Sequence, residues 1–200
     1  MIVIAGGDDK ENVLDFLKII HTDADRLARL IDDILSLSKM ESGNLQLARV
    51  PCALYPIAQR VLEGLHKQVL AKKLVVKNAI PENFPSVFAD ADRMAQVMLN
   101  LIDNAVKYTP SGGTITISCE DQERLVQVQV TDTGIGIPTE DIPRVFERFY
   151  RVDKARSRDL GGTGLGLSIV KHLVQAHQGE VFVSSHVGQG STFSFTIPKV

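Results

Sequence analysis

A heptad-spaced row of apolar residues within positions 10–41 constrains the fold of this chain more than any other feature. Successive members follow at steps of four and three, which predicts one long helix with an a/d seam. The seam consists of Val13, Leu17, Ile20, Ala24, Leu27, Ile31 and Ile34. Such a helix cannot bury its seam alone in water, so it requires partner helices. No second heptad helix follows in the sequence, although the same spacing also fits a core helix of a single domain.

The heptad pattern stops at Ser42-Gly43-Asn44, which predicts a boundary between a helical segment, 1–44, and a second domain, 45–200. In the second part, Leu45 and Leu47 suggest a short strand, and Gly179 occupies the expected position of a helix C-cap. Periodicity predicts helices over 53–72, 90–108 and 163–177, and strands over 74–80, 115–119, 126–130, 180–186 and 191–197. Helices mixed with hairpins in this way predict an α+β sandwich with helices on one face of a sheet.

Composition excludes several classes of protein. The 200 residues are 44% hydrophobic with a net charge of -2, which is typical of a globular domain and argues against a nucleic-acid binder. No apolar run approaches the roughly 20 residues of a membrane helix, and the N-terminus does not read as a signal peptide. Cys52 and Cys119 lack metal-ligand spacing and favour a reduced, cytoplasmic chain. His172 and His177 are five residues apart, which does not fit a helical zinc pair.

Glycine is concentrated in the C-terminal third, where nine of the 15 glycines lie between Gly134 and Gly190. One cluster, 132–138, directly follows a predicted strand, and another, 161–167, opens a predicted helix. A glycine-rich helix entry offers unpaired N–H groups and a positive dipole end, which suit phosphate. The second cluster lacks the Gly-Lys-Ser/Thr of a P-loop and does not follow a strand as a dinucleotide fingerprint does. Tight turns and close helix packing are the competing explanation for either cluster alone.

A polar stripe is predicted on the helix over 90–108. Asn100, Asn104 and Lys107 are spaced at i, i+4 and i+7, so they share one helical face. Carboxamide oxygens can coordinate Mg²⁺, and a lysine can neutralise phosphate charge. A solvated helix face explains the stripe equally well when it is considered alone.

Taken together and in this order, the motifs resemble those of the histidine protein kinases of two-component signalling. The resemblance runs from about residue 10 to residue 198. The matching segments are 100–110 (N box), 132–136 (first glycine box), 146–151 (F box), 162–167 (second glycine box) and 188–193 (closing strand pair). The heptad helix and its C-terminal part, 25–43, resemble the second helix of the family's dimerisation and phosphotransfer domain. The resemblance implies a Bergerat-type α+β sandwich, with a mixed sheet and helices on one face, preceded by a long bundle helix.

The resemblance also implies the ligands and their residues, with ATP and Mg²⁺ as cofactors. Asp132 would accept a hydrogen bond from the adenine amino group and reject guanine, and Thr192 would complete the adenine site. Lys107, Tyr108 and Arg151 would contact the phosphates or the sugar. The implied nucleotide set is Asn100, Asn104, Lys107, Tyr108, Asp132, Gly134, Gly136, Ile137, Arg151, Gly162, Thr163, Gly164, Leu165, Gly166 and Thr192, with Asn100 and Asn104 as the metal ligands.

The F box and the residues after it, 146–162, would form a mobile lid over the triphosphate. This segment is rich in basic residues and ends in glycines that would let it hinge. Its basic residues are Arg148, Arg151, Lys154, Arg156 and Arg158, and its glycines are Gly161 and Gly162, with Gly164 just beyond.

The phosphate-accepting histidine of the family has no counterpart in the sequence. His21 is the only histidine in the predicted bundle helix, and it lacks the acidic neighbour and the proline of the acceptor motif. Phosphorylation at His21 is therefore the less favoured interpretation. The sequence predicts a fragment or shortened form of a larger kinase that binds ATP and Mg²⁺ without autophosphorylation at the usual site.

The leading interpretation is thus the ATP-binding catalytic domain of a sensor histidine kinase. Its partners would be a response regulator receiver domain and, through the heptad helix, a second copy or an intact kinase, with no nucleic acid and no membrane segment. Two alternatives stay open: an ATP-binding regulatory module that pairs with an intact kinase, and a serine kinase of the same fold. A gyrase-like ATPase is disfavoured because no transducer domain follows.

Overall fold

The computed structural model describes residues 45–152 and 163–200, together with 13, 16, 17, 20, 21, 24, 27, 28, 30, 31, 34, 35 and 38. Each described residue between 13 and 38 is helical. The continuous bundle helix, the break at 42–44 and the boundary between 1–44 and 45–200 stay predictions. Most of the lid segment lies outside the described residues.

Three α-helices are described in full, besides a short 3-10 helix at Ile142–Arg144, and their bounds follow the predicted periodicity closely. They are α1 (Leu54–Ala71), α2 (Ala91–Tyr108) and α3 (Gly166–Ala176). Helix α3 begins three residues later than expected because the preceding glycine-rich turn is not helical. Its C-cap is His177 rather than Gly179, and Gln178 adopts the left-handed conformation with φ of 65°. The Gln178 and Gly179 N–H groups bond to the Gln175 and Val174 carbonyls, which completes a Schellman motif around this cap.

Seven strands are described, in two sheets. They are β1 (Val50–Cys52), β2 (Val75–Asn78), β3 (Val87–Ala89), β4 (Thr114–Asp121), β5 (Leu125–Asp132), β6 (Val181–His186) and β7 (Gly190–Pro198). The larger sheet has the order β2-β4-β5-β7-β6, with β2 parallel to β4 and the other pairs antiparallel. This is the mixed sheet that the resemblance implied. Its apolar face packs against the three helices and forms the core.

The predicted strand at Leu45 and Leu47 is wrong. The residues 45–49 have no strand structure, and the strand begins at Val50, where β1 pairs antiparallel with β3. Leu45 is still partly buried against the core, so the apolar signal was correct but its structural interpretation was not. The small β1–β3 sheet was not predicted, because a strand of three residues carries too little periodicity to recognise.

Candidate functional site

Helix α2 carries the predicted polar stripe along one edge of the core. Asp90 caps its N-terminus by accepting the Asp92 and Arg93 N–H groups at 3.1 Å. Met94, Val97, Leu101 and other apolar side chains of this helix are buried in the core. Asn100, Asn104 and Lys107 are half-buried, and the Lys107 ammonium lies 2.6 Å from the Asp103 carboxylate. The stripe is therefore held at the margin of the core rather than freely solvated.

Asp132 ends strand β5 on the apolar face of the sheet. Strand register places it between Ile115 of β4 and Ser191 of β7, and Ser191 in turn pairs with Ser185 of β6. These four residues form what we call the Asp132 row. Cross-strand partners project from the same face, so one carboxylate and two hydroxyls meet at this end of the sheet. The Ser185 and Ser191 hydroxyl oxygens are 2.9 Å apart.

Burial sets the electrostatics of the Asp132 carboxylate, which is only 6% exposed. Burial raises the pKa of Asp132, and backbone N–H groups of Gly134 and Ser191 oppose that shift. Its Oδ1 accepts the Gly134 N–H at 2.7 Å. A Cβ at position 134 would lie 2.5 Å from this oxygen and 2.8 Å from the Tyr108 carbonyl, so only glycine allows the backbone this close.

The two glycine boxes lie at different points along α2. The Ile135 N–H donates to the Tyr108 carbonyl at 3.3 Å, which places the first box at the end of the helix. A Cβ on Gly166 would lie 3.1 Å from Asn100 Oδ1, which places the second box two turns earlier. Eight residues of helix span about 12 Å. Asn104 and Lys107 lie along α2 within that interval, which is comparable in length to a nucleotide.

The F box is joined to the second glycine box by the backbone. The Phe149 N–H donates to the Gly164 carbonyl at 2.9 Å, and both residues are left-handed, with φ of 59° and 75°. A Cβ on Gly164 would meet the Phe149 backbone at 2.9 Å. Phe146 is partly buried and packs edge-on against Phe193 of β7, which anchors the start of the F box. A left-handed aromatic residue is strained, and such strain concentrates at functional sites.

Arg151 supplies a cation with unsatisfied donors. Its Nε and Nη2 atoms are buried and have no hydrogen-bond partner among the residues that the structure describes. Buried guanidinium groups normally form several hydrogen bonds, so these donors point to an anionic ligand.

Other residues of the implied nucleotide set also make hydrogen bonds or packing contacts within the fold. The Ile137 N–H donates to Ser185 Oγ at 2.8 Å, and Gly136 lies directly against the His186 backbone, so the first box is bound to β6. The Thr163 hydroxyl accepts the Leu165 N–H at 3.2 Å. Leu165 is fully buried, so its side chain belongs to the core. Gly162 lies outside the described residues, as do Lys154, Arg156, Arg158 and Gly161.

Thr192 does not join this constellation. It pairs with Thr131, and the two hydroxyl oxygens are 3.1 Å apart on the face opposite to the Asp132 row. The hydroxyl beside Asp132 is that of Ser191, which the sequence reasoning missed. The signal was present, because the alternation that puts Phe193 on the apolar face also puts Ser191 there.

The histidines at 172 and 177 and the thiol of Cys119 make structural contacts rather than forming a reactive site. His177 is buried between the Leu173 carbonyl and the Asp90 N–H, and His172 contacts the Ser168 carbonyl. Burial raises the pKa of the Cys119 thiol to about 12, which makes it unreactive.

The described residues contain no cluster of three or more metal-ligating His, Cys, Asp or Glu side chains. Among the described residues there is also no helix with the length and hydrophobicity needed to cross a membrane.

Comparison with known families agrees with this geometry. Residues 89–200 match the family model described as histidine kinase-, DNA gyrase B- and HSP90-like ATPase. The match covers more than half of the chain, including α2, both glycine boxes and the Asp132 row.

Individual relatives are sensor kinases. The chain is 39% identical over 193 residues to the sensor histidine kinase WalK of Bacillus subtilis, covering 96% of this chain and 31% of that protein. It therefore spans about a third of the length of that relative. Full-length ShkA in complex with AMPPNP is similar with a TM-score of 0.82 and 27% identity, over 99% of this chain and 40% of that one. Histidine kinase ThkA in complex with the response regulator TrrA gives 0.75 and 25%, over 97% and 53%.

Proposed function

The chain belongs to the histidine kinase-, DNA gyrase B- and HSP90-like ATPases. On that premise we propose that it binds ATP and directs transfer of the γ-phosphoryl group to a protein histidine. It forms the ATP-binding catalytic domain found in two-component sensor histidine kinases. The single observation that carries the proposal is the buried Asp132 carboxylate, aligned with a polar helix face between two glycine boxes.

Asp132 and Ser191 form the adenine end of the proposed site. Because Asp132 Oδ1 already accepts the Gly134 N–H, Oδ2 is the oxygen that would accept from the adenine amino group. Guanine carries a carbonyl oxygen at the same edge, which a buried carboxylate repels. The hydroxyl of Ser191 adds an adjustable donor or acceptor beside the carboxylate.

Lys107, Arg151 and the start of α3 form the phosphate end. The unsatisfied Arg151 donors and the N-terminal N–H groups of α3 suit phosphate oxygens. Lys107 would exchange its Asp103 partner for a phosphate when the nucleotide binds. Positioning and charge neutralisation of this kind are most of what phosphoryl transfer requires from a protein.

The residues also fit a magnesium ion. Asn100 and Asn104 offer neutral hard oxygen donors, and Mg²⁺ bound with a nucleotide takes its remaining ligands from phosphates and water. Asn100 and Asn104 would hold the ion, which would neutralise phosphate charge.

The γ-phosphoryl group would pass to a histidine nitrogen as its bond to the ADP oxygen breaks. The five histidines of this chain include none in the acceptor motif, so we place the acceptor on another polypeptide segment. Incubation with γ-labelled ATP tests this assignment. Acid-labile label that is lost in a His21→Ala variant would show instead that the chain phosphorylates itself.

A second candidate function is an ATP-binding regulatory module without transferase activity, and the same absence of an acceptor motif favours it. The two functions separate when the chain is mixed with a kinase that retains its acceptor histidine but has an inactivated nucleotide site. Transfer of label to that partner supports catalysis, and pairing without label supports the regulatory module.

Exposed apolar residues and free thiols support a proposal for partners and location. The apolar residues Val13, Leu17, Ile20, Leu27 and Ile31 are all more than half exposed, which supports pairing with a second copy or an intact kinase. A response regulator receiver domain is the proposed recipient of the phosphoryl group. The free thiols of Cys52 and Cys119 support a cytoplasmic location.

Titration calorimetry with ATP and with GTP, each in the presence and absence of Mg²⁺, tests the proposed site. We expect ATP to bind at least about tenfold more tightly than GTP, and Mg²⁺ to strengthen ATP binding. Equal affinity for the two nucleotides would contradict the role of Asp132.

A further inference from the structure

The side chain of Lys72 crosses from the end of α1 to the end of α2. Its ammonium donates to the carbonyls of Val106, Lys107 and Thr109 at 2.8, 2.7 and 3.1 Å. An ammonium has three donors, so all of them are used on backbone carbonyls of one helix end. This is the negative end of the α2 dipole, where a cation is stabilising.

Local structure at the end of α1 fixes where Lys72 points. Lys72 is the C-cap, and the following Lys73 is left-handed with φ of 52°. The N–H groups of Lys73 and Leu74 bond to the Leu70 and Val69 carbonyls, which forms a Schellman motif. The Lys72 carbonyl also accepts the Gly112 N–H at 3.0 Å. Lys72 is therefore held by its backbone as well as by its side chain.

The α2 end that Lys72 satisfies is the end that carries the site. The last carbonyls of any helix lack intrahelical partners. Here the Tyr108 carbonyl is taken by Ile135 of the first glycine box, and the carbonyls on either side of it are taken by Lys72. The ammonium therefore holds the carbonyl of Lys107 itself, whereas the first glycine box is held by the Tyr108 carbonyl.

We infer that Lys72 is a positioning residue of the nucleotide site, which fixes the end of α2 so that Lys107 reaches the phosphates. The inference rests on the proposed function of that site. Lys72 lies 34 residues from Val106 in sequence and acts through Lys107 and Tyr108 rather than by touching the nucleotide.

The test compares ATP with adenosine, which lacks the phosphates. In the 200-residue chain, Lys72→Met keeps the apolar stem and removes the three donors. We expect its ATP affinity to fall about tenfold or more, and its adenosine affinity to stay within about twofold of wild type, since Asp132 is unaffected. Lys73→Met is the matched control, because that exposed side chain makes none of the three bonds, and both affinities should match wild type.

Urea unfolding of each variant separates positioning from folding. An ATP affinity of folded K72M equal to that of wild type would overturn the inference, as would equal losses for ATP and adenosine. Should K72M fail to fold, K72Q, whose amide keeps two donors, is measured against the same criteria. If wild type itself binds no ATP, the proposed function fails; if wild type binds and only the expected K72M split is missing, this inference alone fails.

Discussion

The buried Asp132 carboxylate contributes to the proposed nucleotide site and lowers the stability of the fold when it is ionised. It is buried, and burial raises its pKa above the value in the unfolded chain. A group shifted in this direction stabilises the fold at low pH, and that contribution is lost as the pH rises through the folded-state pKa. The ionised form of this carboxylate is therefore costly in the fold, a cost that the Gly134 and Ser191 N–H groups offset in part and that a ligand with a matching donor would offset further.

Asp132→Asn should separate the two properties. The amide oxygen can keep the Gly134 hydrogen bond, but the amide nitrogen then faces the adenine amino group, donor against donor. We expect ATP affinity to fall at least about tenfold, while the free energy of unfolding at pH 7 stays equal to or above that of wild type. Calorimetry and urea unfolding measure the two quantities.

Glu120→Gln, which removes an exposed carboxylate from the neighbouring strand β4, is the control and should change neither quantity. An unchanged ATP affinity in D132N would remove the adenine assignment. A large loss of stability would show that Asp132 serves mainly to hold the sheet end.

Ser191 and Thr192 offer a matched pair of adjacent hydroxyls on opposite faces of β7. Ser191 lies in the Asp132 row, whereas Thr192 pairs with Thr131 on the other face. Ser191→Ala should weaken ATP binding by roughly threefold to tenfold, the effect of one lost hydrogen bond. Thr192→Ala should leave ATP binding unchanged in the same titration. The reverse order of effects would restore Thr192 to the adenine site.

At the scale of elements, His177 joins α3 to the start of α2. A carbonyl can only accept and an N–H can only donate, so Nδ1 carries the proton toward Leu173 and Nε2 accepts from Asp90 at 3.1 Å. The imidazole is therefore neutral in the fold. Burial lowers the pKa of His177, a shift that charge at Arg49 reinforces while the Leu173 hydrogen bond and Asp90 oppose it.

This contact predicts acid sensitivity. Because the folded-state pKa is below the unfolded value of about 6.5, the unfolded chain binds more protons as the pH falls below that value. The free energy of unfolding should decrease from pH 7 to pH 5, with His177 contributing at most about 1.4 kcal/mol per pH unit. His177→Gln should be less stable at pH 7 by about 1–3 kcal/mol, yet show a smaller decrease on acidification.

Urea unfolding at several pH values measures both effects. Parallel curves for wild type and H177Q would mean that His177 is not the group that titrates.

At the scale of the whole molecule, the exposed apolar residues between 13 and 35 are the main surface without a partner among the described residues. Leu30 alone of the apolar residues described there is partly buried, and it packs against the core. The other large apolar side chains, among them Ile20, Leu27 and Ile31, are more than half exposed. Exposed apolar surface of this kind marks an interaction site.

Leu27→Glu should disrupt the proposed pairing without affecting the nucleotide site. We expect wild type to sediment as a dimer and L27E as a monomer at the same concentration, because a charge in an a/d seam is costly to bury. The ATP affinity of L27E should equal that of wild type. His21→Glu, beside the seam, is the control and should still dimerise. A monomeric wild type would contradict pairing with a second copy.

Much of the fold followed from local pattern. The apolar alternation in β4, β5 and β7 and the four-residue spacing in α1 gave those elements their bounds within a few residues. The strand at Leu45 and the C-cap at Gly179 were misplaced because only one or two residues at each of these points distinguish one local conformation from another. The glycine boxes at 132–136 and 162–167 were recognisable because an N box precedes them in the sequence. In that order, tight turns or close helix packing alone no longer explain their glycines well.

The sequence by itself determined the order of the elements other than β1 and β3, the family and the position of Asp132, because periodicity and short motifs are properties of neighbouring residues. Only the tertiary structure decided that Ser191 rather than Thr192 adjoins Asp132, since strand register fixes the partner. It also decided that Lys72 completes the end of α2, 34 residues away in sequence. Hydrogen bonds between distant segments depend on how helices pack on the sheet, and no local pattern encodes that distance.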